Sequence, residues 1–139
     1  MTQRSGPLTG MRVIELAHIM AGPVCGMMLA DMGADVIKVE KPNGDDSRRF
    51  VPPEIKGESA AYMMMNRNKR GISLNLKDPA GVEVLRKLLA EADVMIENYR
   101  KGTMEKLGLS YDELAGINPR LIYCEISGFG RTGPYADRG

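Results

Sequence analysis

The stretch RVIELAHIMAGPVCGMMLADMGADVIKVE, residues 12–40, decides the fold. It opens with a short run rich in β-branched residues, Arg12–Leu16, and closes with a second such run, Asp35–Glu40. Both runs are mostly apolar on both faces, as strands buried in a parallel sheet are. Between them Ala21–Met32 has a helical pattern, with a Pro near its start and a Gly just past its end. The stretch therefore predicts a strand, a helix and a second strand parallel to the first.

The same alternation continues along the chain. The further predicted strands are Gly71–Leu76, Asp93–Asn98 and Arg120–Ile126. A helix that opens at Asp78 and Pro79 carries an apolar stripe at helical spacing, formed by Val82, Leu85, Leu88, Leu89 and Ala92. Shorter helical patterns cover Thr103–Leu107 and Tyr111–Ile117, and Pro42–Glu58 is predicted to be an excursion over the surface. This order favours right-handed crossovers and an α/β fold. The central sheet is expected to be Rossmann-like, doubly wound and mostly parallel.

Composition limits the classes of function. The 139 residues predict one domain, residues 1–139, and 19 Lys plus Arg against 18 Asp plus Glu give no field that would attract nucleic acid. The longest apolar region, Val13–Ala30, is interrupted by Glu15 and His18, and the start lacks a signal-peptide pattern, so a cytoplasmic chain without membrane contact is expected. Cys25 and Cys124 are far apart and predict neither a metal site nor a disulfide framework.

A ligand site is predicted from the strand ends. In open α/β sheets ligands bind beyond the carboxyl ends of the strands. The residues at those ends are Ala17–Pro23, Lys41, Lys77, Tyr99–Gly102 and Ser127–Gly130. They bring polar, cationic and glycine residues to one rim, which indicates an anionic or nucleotide-like ligand.

A glycine-rich segment near the end of the chain matches the dinucleotide fingerprint G-x-G-x-x-G. It runs from Gly128 to Gly133 and follows a predicted strand. A true fingerprint opens a helix whose N-terminus holds the pyrophosphate. Pro134 follows the third glycine directly and no helical pattern comes after it, so the dinucleotide interpretation fails. The segment is better explained as a rim where small residues let the backbone approach a ligand.

Other polar groups give no catalytic set. His18 is the only histidine, and no Ser-His-Asp arrangement can be built around it. Asp45 and Asp46 are expected to be solvated or to cap a turn, and Arg67–Arg70 to form a solvated basic patch. Met63–Met65 are expected to fill the core. The residues alone thus predict a ligand-binding α/β domain without an assigned nucleophile.

Four motifs carry a resemblance to a known family. They are LTGMRVIELAHIMAGPVCGMMLADMGADVIKVEKPNGDDSR, NRNKRGISLNLKDPAG, ADVMIENYRKGTMEKLGLSYDEL and NPRLIYCEISGFGRTGPYADRG. From Leu8 onward the chain resembles the N-terminal part of the class III CoA-transferases, the family of formyl-CoA transferase and carnitine CoA-transferase. The motifs are specific for the family and say little about the substrate.

The resemblance implies a Rossmann-like region that binds coenzyme A or acyl-CoA, within a longer protein that assembles as an interlocked homodimer. Such enzymes move CoA between an acyl-CoA and a free carboxylic acid through an aspartyl anhydride and an enzyme thioester. The family's aspartate is expected beyond Gly139, so the chain would be an incomplete CoA-binding part, inactive alone. No metal is implied.

Residues at the nucleotide end of CoA follow from motif matching. By resemblance, His18 and Ala21 lie beside the nucleotide. Lys41 takes the position of a basic residue near the phosphates, and Leu74 and Lys77 line the adenosine pocket.

Residues toward the acyl end follow in the same way. Asn98 and Tyr99 would approach the pantetheine arm, and Lys106 would add a phosphate contact. The backbone at Gly128 and Phe129 would border the thioester.

Departures from the family pattern leave alternatives open. Ser127 stands where the formyl-CoA enzyme has a lysine, which argues against that enzyme's substrates, and Lys101 replaces a proline. An acyl-CoA racemase of the same fold, of the alpha-methylacyl-CoA type, would use a paired His and Asp instead. A noncatalytic fragment that binds CoA or another adenine nucleotide is the third hypothesis.

Overall fold

The computed structural model describes residues 5–138 and shows alternating strands and helices. In chain order the elements are β1 (Arg12–Glu15), α1 (Ala21–Asp31), β2 (Asp35–Glu40), a 3-10 turn (Asp46–Arg49), β3 (Glu54–Ile55), β4 (Glu58–Ser59), α2 (Ala60–Asn66), β5 (Arg70–Ser73), α3 (Pro79–Ala90), β6 (Val94–Glu97), α4 (Thr103–Lys106), α5 (Tyr111–Ile117) and β7 (Ile122–Glu125). Strands β3 and β4 form a small antiparallel ribbon at the end of the predicted surface excursion.

The main sheet has five parallel strands in the order β5-β2-β1-β6-β7. The chain moves outward from β1 through β2 to β5, then returns to the other side of β1 and adds β6 and β7. Ile14 in β1 stands opposite Ile37 of β2 and Met95 of β6. This is the predicted doubly wound α/β arrangement, and its switch point lies between β1 and β6.

Apolar layers cover both faces of the sheet. Because side chains alternate along a strand, Val13 packs with Ala30 of α1, whereas Ile14 packs with Leu85 and Leu89 of α3 on the opposite face. The apolar stripe predicted for α3 is confirmed, since Leu85 and Leu89 are buried completely. Its helix starts where the side chain of Asp78 accepts a hydrogen bond from the Ala80 N–H.

Some local predictions differ from the structure in their bounds or in the burial of their residues. The predicted strand Gly71–Leu76 is β5, Arg70–Ser73, and helix α2 was not predicted. The core-filling role expected of Met63–Met65 holds for Met65 alone, because Met63 and Met64 are exposed. In a helix of 3.6 residues per turn, neighbouring residues point in different directions and only part of such a run can face the interior.

The two cysteines come together although they are far apart in the sequence. Cys25 lies in α1 and Cys124 in β7, and both are free and partly buried. Burial raises the pKa of the Cys25 thiol, and the neighbouring Cys124 thiol raises it further. Separation along the chain was therefore a poor guide to their distance in the fold.

No helix within residues 5–138 is both long enough and apolar enough to cross a bilayer.

Candidate functional site

Three adjoining cavities follow the carboxyl edge of the sheet. The leucine chamber, about 420 Å³, has Leu74, Leu76 and Leu107 in its lining, together with the cationic residues Lys41 and Lys77. Its neighbour, the histidine chamber, is smaller, about 130 Å³. Tyr99 lines both and also the third cavity, so the three form one groove.

The third cavity is the glycine chamber, about 560 Å³, at the ends of β6 and β7. Its lining includes His18, Ala21, Asn98, Ser127 and Gly128. His18 also lines the histidine chamber. The groove therefore extends from the end of β5, past the switch point, to the glycine-rich segment.

The groove unites most of the residues named from the sequence. Those that line it are His18, Ala21, Lys41, Leu74, Lys77, Asn98, Tyr99 and Gly128. Lys106 and Phe129 do not line these cavities. Lys106 is the last residue of α4 and precedes the chamber residue Leu107. The exposed Phe129 ring lies 5.7 Å from the Tyr135 ring between centroids, at a tilt of 56°.

At the switch point Asn98 joins the loops that leave β1 and β6. The His18 N–H donates to Asn98 Oδ1 over 2.9 Å, and Asn98 Nδ2 donates to the His18 carbonyl over 2.9 Å. The rings of His18 and Tyr99 are 5.4 Å apart between centroids. Since the Asn98 amide is bonded to backbone, it holds the His18 loop in place, and its contact with a pantetheine arm stays a prediction.

Asp45 fixes the same loop from the other side, and the expectation that it is solvated was wrong. Its side chain is 1% exposed and accepts hydrogen bonds from the Ile19 N–H at 3.1 Å and the Ser47 N–H at 2.9 Å. The predicted capping role is confirmed, because Asp45 caps the 3-10 turn. Ile19 has a φ of 69°, which a β-branched residue rarely adopts, so the Asp45 bond supports a strained residue beside His18.

Asp45 belongs to a buried ion network formed by Glu15, Lys38, Asp45 and Lys69. Lys38 Nζ lies 3.0 Å from Glu15 Oε1 and 2.9 Å from Asp45 Oδ2, and it donates to the Ala17 carbonyl over 2.9 Å. Lys69 Nζ lies 2.7 Å from Glu15 Oε2. None of the four side chains is more than 2% exposed, and the two cations balance the two carboxylates.

Lys69 extends the network to the helices. Its Nζ donates to the Pro23 carbonyl of α1 over 2.8 Å and to Asn66 Oδ1 of α2 over 2.9 Å. A Cβ at Gly26 would lie 1.9 Å from Glu15 Oε2, so only glycine lets α1 approach the network this closely. The predicted solvated patch at Arg67–Arg70 is thus wrong for Lys69, whose burial lowers the pKa of its ammonium.

Arg67 and Arg70, the other cations of that patch, pair with carboxylates. Arg67 pairs with Asp31 of α1 at 2.5 Å, and Arg70 pairs with Asp35 of β2 at 2.6 Å. Both guanidinium charges are therefore compensated by carboxylates of the chain itself.

A second polar cluster holds the segment that follows β2. Tyr62 Oη donates to Glu40 Oε1 over 2.6 Å, Arg48 Nε lies 2.8 Å from Glu40 Oε2, and the Arg48 guanidinium stacks 3.9 Å from the Tyr62 ring centroid. Burial would raise the pKa of Glu40, but the hydrogen bonds from Arg48 and Tyr62 lower it to about 2. Lys41, next in the chain, is thereby placed at the groove.

Lys41 and Lys77, the lysines of the leucine chamber, differ in their availability to an anion. Lys41 Nζ lies 2.9 Å from Asp46 Oδ1, so an anionic ligand must compete with that exposed pair. Lys77 is exposed, and its side chain forms no ion pair with any residue in the part of the chain that the structure describes. Lys77 is therefore the more available cation.

Each carboxylate of the groove already has a cationic partner. Glu40 pairs with Arg48, Asp45 with Lys38, Asp46 with Lys41, and Asp137 with Lys101. Over residues 5–138 there is also no group of three His, Cys, Asp or Glu side chains that could hold a metal ion. The described part of the groove therefore presents no unpaired carboxylate as a nucleophile.

Sequence reasoning missed Glu15, Lys38 and Lys69. One signal was present: Glu15 and Lys38 each interrupt a run that was predicted to be buried on both faces. A charge inside such a strand needs a buried partner of opposite sign. Their pairing depends on the register of β1 and β2, in which Glu15 stands opposite Lys38.

Comparison with known proteins identifies relatives of this chain. Residues 8–139 match CoA-transferase family III. The chain is 54% identical to succinate--glutarate CoA-transferase of Agrobacterium fabrum, over 99% of its own length and 36% of that protein's. It is 46% identical to human succinyl-CoA:glutarate CoA-transferase, over 95% of its length and 30% of the relative's. A crystal structure of a CAIB/BAIF family protein from Brucella suis superposes with a TM-score of 0.92 and 52% identity, covering 96% of this chain and 36% of that one.

The buried ion network predicts a sharp contrast between two adjacent aspartates. Asp45→Asn should lower the free energy of unfolding by about 3 kcal/mol at pH 7, because it leaves Lys38 buried with one partner removed. Asp46→Asn, which removes two exposed pairs, with Lys41 and Arg49, should change the free energy of unfolding little. Urea unfolding of both variants measures the difference.

The difference in unfolding free energy between the two aspartate variants should depend on pH. Burial would raise the pKa of Asp45, but hydrogen bonds from Ser47 and Lys38 lower it to about 2. The stabilisation is then complete above the unfolded-state pKa of about 3.9 and is lost as the pH falls through about 2. The cost of Asp45→Asn should therefore shrink between pH 4 and pH 2. The network would be contradicted if both variants lost the same free energy of unfolding. It would also be contradicted if the loss for Asp45→Asn were the same at pH 2 as at pH 7.

Proposed function

The chain belongs to CoA-transferase family III, and we propose that it forms the CoA-binding part of an enzyme that moves CoA between an acyl-CoA and a free carboxylic acid. It spans about a third of the length of the relatives it matches, 36% and 30% for the two named above. The observation that carries the proposal is the groove, which gathers eight residues matched to CoA contacts by motif along one edge of the sheet.

The chemistry of the groove suits CoA from end to end. The leucine chamber offers an apolar floor for adenine and two lysines for the 3′-phosphate and the pyrophosphate. Tyr99 and the paired amide of Asn98 offer neutral contacts for the pantetheine arm, beside the charged residues Arg100, Lys101 and Arg138 of the glycine chamber. At the glycine chamber, backbone at Gly128 can approach a thioester without a side chain in the way.

The substrates we propose are dicarboxylic acids and their CoA thioesters. The proposal is supported by the names of the two relatives above, which combine succinate or succinyl-CoA with glutarate. Ser127 lines the glycine chamber where the formyl-CoA enzyme has a lysine, and Lys101 lines it where the family motif has a proline, so the cations at the acyl end of the groove stand at other positions than in that enzyme. We propose, in addition, a cytoplasmic homodimer.

The proposed reaction uses an aspartate carboxylate as nucleophile. The carboxylate attacks the thioester carbonyl, the C–S bond breaks, and CoA thiolate leaves behind an acyl-aspartyl anhydride. The thiolate then attacks the aspartyl carbonyl and releases the donor acid, which gives an enzyme thioester. Attack by the acceptor carboxylate and return of the thiolate complete the transfer. Because every groove carboxylate within residues 5–138 is paired with a cation, we place the nucleophile outside the described residues.

Binding of CoA to this chain tests the site. Lys77→Ala should raise the Kd for CoA about tenfold, since it removes an available cation beside the phosphates, a loss of about 1.4 kcal/mol. Lys41→Ala should weaken binding less, because Lys41 gives up its pair with Asp46 on binding. Lys87→Ala on the outer face of α3 is the control and should leave the Kd unchanged. Titration calorimetry measures all three, and equal affinities for Lys77→Ala and the control would refute the lysine assignment.

Transfer of CoA tests the reaction. The full-length protein should move CoA from succinyl-CoA to glutarate, as followed by mass spectrometry of the thioesters. The chain of 139 residues should bind CoA but show no transfer, with Asp137→Asn as a check on the one exposed carboxylate of the glycine chamber. Racemisation of a 2-methylacyl-CoA by the full-length protein without transfer would replace this proposal with the racemase alternative. Turnover by the short chain that survives Asp137→Asn would contradict the placing of the nucleophile.

A further inference from the structure

The stretch of residues 127–138, which contains the glycine-rich segment, is attached to the fold largely through one side chain. Within it, Arg131 and Ala136 are the residues that are not exposed. Its other hydrogen bonds are mostly local, such as the Gly130 N–H to Ser127 Oγ at 3.1 Å and the Ala136 N–H to the Gly133 carbonyl at 3.3 Å. Lys101 and Asp137 add one exposed ion pair.

Arg131 pairs with three carboxylates from three elements. Its Nη2 lies 3.3 Å from Glu97 Oε1 at the end of β6, and its Nη1 lies 2.7 Å from Glu105 Oε1 on α4. Its Nε pairs with Glu125 at the end of β7. We call these four residues the arginine clamp. The planar guanidinium can hold three partners at once, which a lysine ammonium cannot do in the same geometry.

Glu97 links the clamp to the groove. Its side chain is completely buried, and its second oxygen, Oε2, accepts a hydrogen bond from the Tyr99 N–H over 2.7 Å. Burial raises the pKa of Glu97, so the carboxylate depends on Arg131 for compensation of its charge. One buried carboxylate thus orients both Tyr99, which lines all three chambers, and the arginine that holds the segment.

We propose that Arg131 is a positioning residue that holds the rim Ser127–Gly130 against the acyl end of the groove. The inference rests on the proposed function, because it assumes that pantetheine and the thioester occupy the glycine chamber. Glycines have no side chains to anchor themselves, and Gly130 and Gly133 adopt φ values of 77° and 88°. The rim therefore needs an anchor outside the glycines, and Arg131 lies directly beside Gly130.

Two ligands separate positioning of the rim from a general effect on the fold. CoA reaches the full groove, whereas adenosine 3′,5′-bisphosphate lacks the pantetheine arm and fits the leucine chamber alone. Arg131→Ala should raise the Kd for CoA about tenfold and leave the Kd for the bisphosphate within about twofold. Arg120→Ala is the matched control, because Arg120 is an exposed arginine that pairs with Asp93 and lines none of the three chambers. It should bind both ligands like the wild type.

A milder variant keeps the test valid if Arg131→Ala unfolds. Glu105 is half-exposed on α4, and Glu105→Gln removes one carboxylate of the clamp without touching the groove. It should weaken CoA binding in the same direction by about twofold to threefold and leave the bisphosphate unaffected. Thermal melting confirms that each variant is folded before titration.

The outcomes distinguish the two proposals. If the wild-type chain binds neither ligand, the proposed function fails and the positioning role falls with it. If the wild type binds CoA and folded Arg131→Ala binds it equally well, the positioning role alone is wrong. Equal weakening of both ligands would also overturn it, because a general structural defect would then be the cause.

Discussion

The buried ion network of Glu15, Lys38, Asp45 and Lys69 is the constraint on which the groove depends. Buried charges are tolerated only when each has a partner, and here two cations and two carboxylates tie β1, β2, α1, α2 and the loop after β2 to one another. Asp45 also accepts a hydrogen bond from the Ile19 N–H and so fixes the backbone next to His18. The network thus sets the position of the first strand-helix loop, which forms one wall of the groove.

Hydrogen bonds and ion pairs of polar side chains also hold the other loops that line the groove. Asn98 forms two hydrogen bonds with the His18 backbone at the switch point. Glu40 binds Arg48 and Tyr62 next to Lys41. The arginine clamp holds the glycine-rich segment. In each case a polar side chain near the end of a strand fixes the loop that follows it or a neighbouring loop. The groove is therefore largely shaped before a ligand binds, which reduces the ordering cost of binding a long, flexible molecule such as CoA.

The sequence predicted the sheet, the stripe of α3 and most groove residues because these follow from periodicity, from strand ends and from family motifs. It did not predict the pairing of Glu15 with Lys38, which depends on register, or the meeting of Cys25 with Cys124, which depends on topology. Asp45 was expected to be solvated or to cap a turn because it lies in the predicted surface excursion, and its burial depends on Lys38 of another strand, which the sequence does not show. Helix α2 was missed because its run of methionines has no apolar periodicity.

We expect CoA to lie along the carboxyl edge of the sheet with its ends in opposite chambers. A crystal structure of this chain with CoA would show where both ends of the ligand bind. Adenine should lie in the leucine chamber near Leu74 and Lys77, and the thiol in the glycine chamber near Gly128. Density for CoA with its ends reversed, or at another surface of the protein, would contradict this expectation.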